Sequence, residues 1–165
     1  MSLSLALGLL LAGAAGPVAV PVPVAAQAPT QFYPAGADAH VAVASALADA
    51  ARSGRPAVLV FGADWCHDSR ALAKALTSPA FRDEFGTRFS VTFIDVATPQ
   101  TGAGRNLDLA GRFGIKRLRS TPALVVVGPN GKPLNSAKDA VGWRNADSRG
   151  EGAILAWFRK LQPAA

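Results

Sequence analysis

The chain has one cysteine among its 165 residues, Cys66, within Phe61-Gly62-Ala63-Asp64-Trp65-Cys66-His67-Asp68-Ser69-Arg70. Its surroundings suit a nucleophile. The apolar run Ala57-Val58-Leu59-Val60-Phe61 predicts a buried strand, and Arg70-Ala71-Leu72-Ala73-Lys74-Ala75-Leu76 predicts a helix. Cys66 therefore falls at a strand-to-helix turn, on or beside the first helical turn. Backbone N–H groups there lack intrahelical partners and carry the positive end of the helix dipole, so they favour thiolate over thiol. Placement of this kind can lower a cysteine pKa from ~8.5 to between about 3.5 and 7.5. A thiolate attacks a disulfide and forms a mixed disulfide. Resolving that bond within the same molecule needs a second thiol, and one turn along stands Ser69. What remains is monothiol chemistry: exchange with glutathione, isomerisation through attack and return, or capture of a client thiol. A structural disulfide within the chain is excluded.

The neighbours of Cys66 each admit two readings. The Ser69 hydroxyl can donate to the Cys66 thiolate or simply fill the space. Protonated His67 would stabilise the thiolate and Asp68 would oppose it, unless the pair is merely solvated. Cys66 and His67 could also begin a copper-type metal site, but no third ligand accompanies them, and no metal ligand set is assigned. No Cys/His spacing resembles a zinc site, and there is no phosphate-binding glycine loop. Asp95 reads as a strand-terminus residue. Lys116, Arg117 and Arg119 read as a solvated charge run; the alternative is a basic lip that attracts acidic partners, the carboxylates of glutathione included.

Ala63-Asp64-Trp65-Cys66-x-x-Ser69 resembles the active-site turn of the thioredoxin superfamily, Trp-Cys-x-x-Cys, with serine in place of the second cysteine. Ser120-Thr121-Pro122-Ala123-Leu124-Val125-Val126-Val127 resembles that family's cis-proline strand. The likeness continues through Gly128-Pro129-Asn130-Gly131-Lys132, Val141-Gly142 and a last amphipathic helix, over roughly residues 38–162. It implies an α/β fold, a thioredoxin-like mixed β-sheet sandwiched by helices. It also implies that Trp65 shields the thiol, and that a cis Thr121-Pro122 bond presents the Thr121 backbone to an extended client beside Cys66. Val60 stands where thioredoxins often carry a buried carboxylate, a second departure from the pattern.

The elements that must hold these residues can be read in order. Residues 1–37 carry no charged side chain, and Leu3 to Ala15 is apolar over a signal-peptide length, shorter than the ~20 residues a membrane span needs. Val24-Ala25-Ala26 before Gln27 resembles a small-residue cleavage site, so residues 1–26 are expected to be an export signal. No Lys or Arg precedes the apolar run. Either the terminal amine supplies the positive charge or the true start lies upstream. Residues 27–37 are expected to be a Pro-rich linker, and 38–162 one thioredoxin-like domain.

Asp38 is a candidate N-cap for a helix to about Arg52, stopped by Ser53-Gly54-Arg55-Pro56. Ser78-Pro79 starts a helix through Phe81 and Phe85. Phe89 to Val96 predicts a strand, and Thr98 to Gly104 a flexible loop. Asn106 is expected to cap a short helix closed by Gly114. Residues 122–127 predict a strand, with Asn130-Gly131 favouring a hairpin return that is irregular until Ala140-Val141-Gly142-Trp143. Ser148-x-x-Glu151 reads as a capping box for the last helix.

The net charge of +6, from 17 basic and 11 acidic residues, falls entirely after residue 37. No basic run is interleaved with aromatics, so nucleic acid is not an expected partner. The expectation is a periplasmic or secreted monomer, without stable membrane insertion after signal cleavage and without a cofactor. Its site comprises Cys66 as nucleophile with Ser69 and His67, and Trp65, Thr121 and Pro122 facing substrate. Its partners are protein or glutathione thiols and disulfides. The rival readings are a non-catalytic binding module using the same groove and a Cys/His metal-handling domain.

Overall fold

The structure, a computed structural model, describes residues 31–161. The expected signal segment and the start of the linker lie outside them.

Strand β1 (Ala57–Gly62) is the axis of the fold, and all six of its residues are buried. A strand covered on both faces reads as a continuous apolar run, which is why alternation is missing here. It pairs in parallel with β2 (Ser90–Asp95) and antiparallel with β5 (Ala123–Val127), giving the order β2-β1-β5. Leu59 thus lies between Thr92 and Val125. Successive side chains of β1 point to opposite faces. Ala57, Leu59 and Phe61 pack with α1 (Ala39–Ser53) and α4 (Leu107–Arg112). Val58 and Val60 pack with α2 (His67–Leu76), α3 (Pro79–Phe85) and α6 (Ala146–Lys160). The sheet is mixed and helices sandwich it, as the sequence implies.

The helix starts follow local chemistry. Asp38 accepts from the His40 and Val41 N–H groups, and Ser78 accepts from Phe81 N with Pro79 at the first helical position. α1 ends on Gly54 in the left-handed region at φ 74°.

Three local expectations are corrected. Residues 98–104 are no open loop: β3 (Ala97–Thr98) pairs with β4 (Ala103–Gly104) around a 3₁₀ turn, Pro99–Thr101. Asn106 occupies the cap position of α4, but at φ 56° its side chain faces away from the helix, and Nδ2 donates to Asp95 O at 2.8 Å. The hairpin turn at Asn130-Gly131 forms, and the return is irregular as expected: its one bridge, Val127 with Pro133, is flanked by Gly128 N donating to Lys132 O at 2.8 Å and Leu134 N donating to Val126 O at 2.7 Å. Beyond Leu134 the Asn135 side chain takes the strand's place: Oδ1 accepts from Val126 N at 2.8 Å and Nδ2 donates to Leu124 O at 2.9 Å.

The third correction is the capping box at Ser148. α6 begins at Ala146, and Ser148 Oγ donates to Asn145 O. Gly150 breaks the helix at φ 72°, ψ 165°, a conformation that glycine alone adopts cheaply. A capping box does exist at Ser136 and Asp139, opening α5 (Ala137–Ala140). The N–H of Asp147 is satisfied from outside, by Asp68 Oδ1 on α2 at 3.0 Å.

Within the segment expected as linker, the described part is not free of the domain. Tyr33 is 1% exposed and belongs to the core with α2 and α6.

Candidate active site

Cys66 is the N-cap residue of α2, extended at φ −84°, ψ 122°, immediately before the first helical residue. It makes no side-chain cap bond, so its sulfur is directed elsewhere. Sγ lies 3.5 Å from the Thr121 carbonyl oxygen, to which the thiol donates. The turn is closed by Cys66 N donating to Ala63 O and by Arg70 N donating to Cys66 O. The thiol is partly exposed, and it is free.

The opposing wall comes from the segment entering β5. The Thr121–Pro122 peptide bond is cis, and both residues are buried. β5 is antiparallel to β1, so its start lies at the same sheet end as the exit of β1 into the Cys66 turn. Topology therefore joins two segments 55 residues apart.

Trp65 is 51% exposed, and its Nε1 donates to Ala97 O at 3.0 Å. The indole ties the β3–β4 ribbon to the active-site turn. His67 is exposed, and its Nδ1 lies 4.0 Å from Asp147 Oδ2 on α6. Among the described residues no hydrogen bond joins it to Cys66. Ser69 is fully buried, and its Oγ has no hydrogen-bond partner. The hydroxyl is thus available beneath the turn. Of the six residues expected at the site, Cys66 and Thr121 touch directly, and Trp65, Ser69 and Pro122 adjoin them. His67 is engaged with α6.

Three further residues build the site. Tyr33 hydroxyl donates to the Ser69 carbonyl at 3.0 Å, in the interior. Burial, above all, pushes the phenol's ionisation upward, and the charges of Cys66 and Asp64 add to this against a lowering by Ser69. Tyr33 therefore stays a protonated donor. Its ring lies on Gly62, where a Cβ would come within 2.5 Å of Cε1. Asp64 accepts from Phe32 N at 3.0 Å and Tyr33 N at 3.2 Å, which holds that lead-in segment against the turn. Arg70 Nη1 donates to Asp64 O at 2.6 Å. The one sequence signal for Tyr33 was the aromatic pair Phe32-Tyr33 in a tract otherwise rich in Pro and Ala.

Asp95 closes β2, half the expectation of a strand-terminus residue. It is also buried and paired with Arg105 Nε at 2.7 Å. Among the described residues no group of three His, Cys, Asp or Glu is placed to hold a metal ion, and no helix is long and apolar enough to cross a membrane.

A family model described as thioredoxin-like matches residues 38–129. Among solved structures, the chain is similar to a disulphide isomerase from Xylella fastidiosa Temecula1, with 35% identity and a TM-score of 0.71. That match covers 81% of this chain and 98% of the other. Among curated proteins none matches.

Proposed function

The chain belongs to the thioredoxin-like family, and from that premise we propose that it performs thiol–disulfide exchange through a monothiol centre at Cys66. The observation that carries this is the position of its only thiol: at the first turn of α2, partly exposed, 3.5 Å from the Thr121 carbonyl, with a buried serine one turn along. The likeness to a disulphide isomerase supports exchange as the reaction class.

Cys66 thiolate attacks one sulfur of a client or glutathione disulfide. The Cys66–S bond forms, the old S–S bond breaks, and its electron pair leaves on the departing thiolate. An external thiolate, from the client or from glutathione, then attacks the mixed disulfide and regenerates Cys66. Each step exchanges one disulfide for another, with no net oxidation. Ser69 Oγ, buried without a partner, is the donor available to the anionic sulfur in both steps. The Thr121 carbonyl offers an extended client a backbone acceptor beside the reacting sulfur.

The test is intact-mass analysis after incubation with glutathione disulfide and with a client mixed disulfide. One adduct per chain should form, be released by added thiol, and be absent in Cys66→Ser. A parent that forms no adduct at accessible Cys66 removes the exchange reading. A second reading, a groove that binds without turnover, is favoured by one observation: Val60 is fully buried where thioredoxins often hold a carboxylate. Adduct formation without release by thiol would select it.

A periplasmic or secreted location belongs to the same proposal, supported by the uncharged, apolar first 37 residues. The mature protein recovered from its host should begin near Gln27. An intact amino terminus on cytoplasmic protein would remove this assignment.

A further inference from the structure

Two walls are hydrogen-bonded to consecutive residues of the active-site turn. The β3–β4 ribbon is held to Trp65 through Ala97 O, and the segment entering β5 is held to Cys66 through Thr121 O. Between those walls lies a depression of about 530 Å³, lined by Pro99, Gln100, Gly102, Arg117 and Arg119.

The charges in it follow from how the 115–119 segment is anchored. Ile115 and Leu118 are buried, at 4% and 5% exposure, so Lys116, Arg117 and Arg119 are directed outward. Neither Arg117 nor Arg119 ion-pairs or hydrogen-bonds through its side chain with any described residue. The nearby carboxylate, Asp95, is already neutralised by Arg105. The cleft on the other side of the turn, between α2 and α6, differs: Arg70 and Lys74 there face Asp147 and Glu151, so its charge is mixed. The depression that Arg117 and Arg119 line therefore holds positive charge with no carboxylate among its lining residues, on the segment that leads into Thr121.

The geometry points to a binding surface for acidic polypeptide segments, in which Arg117 and Arg119 receive Asp or Glu side chains flanking the client cysteine that Cys66 attacks. This rests on the exchange reading above and names its substrate class. A polypeptide is favoured over a small carboxylate because the arginines sit on the segment that runs directly into Thr121-Pro122. A chain reaching Cys66 with one cysteine would lay its neighbouring residues along that face. Uncompensated charge at a site's rim acts chiefly on encounter rate, and the action fades with salt.

The experiment uses the full chain, three test disulfides and one control disulfide. Two are cysteine peptides carried as the same aromatic mixed disulfide, identical except for Glu or Lys beside the cysteine. The third is glutathione disulfide. A neutral small disulfide serves as the control for Cys66 itself. At low ionic strength the Glu peptide should react about tenfold faster than the Lys peptide, and added salt should shrink that ratio. In Arg117→Glu/Arg119→Glu the ratio should invert; because it is taken within each variant, a change in overall thiol reactivity cancels. Equal rates for the two peptides, or a ratio unaltered by the double substitution, overturn the inference while the neutral disulfide still reports exchange. A charge dependence confined to glutathione disulfide overturns the polypeptide assignment. Failure of the neutral disulfide to react removes the exchange reading, and this inference falls with it.

Discussion

The Tyr33 hydroxyl donates a buried 3.0 Å hydrogen bond to the carbonyl of Ser69, 36 residues away. With the Asp64 carboxylate receiving the Phe32 and Tyr33 N–H groups, it fastens the lead-in segment under the active-site turn. Removing the hydroxyl takes one buried hydrogen bond from a carbonyl that still faces the Ala73 N–H one turn on in α2. Tyr33→Phe should therefore lower stability by about 0.5–1.5 kcal/mol, read as a shift in the urea midpoint at unchanged slope. Gly62→Ala, which drives a methyl into the Tyr33 ring, should cost about 1–3 kcal/mol by overpacking. A Gly62→Ala protein as stable as the parent would mean that the ring does not press on β1.

Ser69 separates packing from chemistry. Its hydroxyl is buried and unpartnered, so Ser69→Ala removes a polar group whose desolvation nothing offsets. The melting temperature should hold or rise, while the rate of mixed-disulfide formation at Cys66 should fall. A variant equal to the parent in rate would leave the serine as a space-filler.

Ser69→Cys makes the complementary change. Serine and cysteine differ little in volume, and the new thiol would lie one turn from Cys66. The variant should form an internal disulfide and gain turnover as an insulin reductase or an oxidant of a reduced client. The parent should instead accumulate as a mixed disulfide. An internal disulfide without turnover would point to Val60 and its apolar surroundings as the limiting feature.

Asn135 stands in for an edge strand, with one donor and one acceptor on β5. Asn135→Ala should cost about 2 kcal/mol. Asn135→Asp keeps the acceptor for Val126 N but loses the donor to Leu124 O, and should fall between Ala and the parent. Hydrogen exchange at Val126 N should quicken in Ala and much less in Asp. Equal exchange in all three would show that the side chain does not guard this edge.

Glu84 and Arg159 join α3 to α6 through two 2.6 Å hydrogen bonds. Arg159 holds the Glu84 carboxyl below its ordinary value of 4.5. A carboxylate depressed in the folded state contributes stability that is complete above its unfolded value and is lost as pH falls through the folded one. The stability gap between the parent and Glu84→Gln should be constant near neutrality, close in acid, and narrow with salt, since both partners are exposed. A gap that persists in strong acid would rule out the ion pair as its source.

The sequence alone determined what short-range physics encodes. Asp38 and Ser78-Pro79 start helices because caps act over two or three residues. The run Ala57 to Phe61 read as a buried strand, since a strand covered on both faces is apolar throughout. Cys66 at the start of a helix followed from those neighbours, as did the serine one turn on. Tertiary structure decided the rest. Tyr33 lies in a Pro-rich tract, and only its fit over Gly62 and under Ser69 makes it core. Ser148-x-x-Glu151 carried a helix-start pattern, but α6 starts from Asn145, three residues earlier, with Asp68, 79 residues from Asp147, accepting the Asp147 N–H, and Gly150 absorbs the bend. Asn130-Gly131 encoded a turn, and its return pairs only as far as Leu134 because the Asn135 side chain reaches β5 first. The arginines at 117 and 119 read as a charge run until the burial of Ile115 and Leu118 turned them outward into a depression shared with Pro99, Gln100 and Gly102. Each of these is a choice among partners far apart in the chain, where a local pattern offers several outcomes and packing selects one.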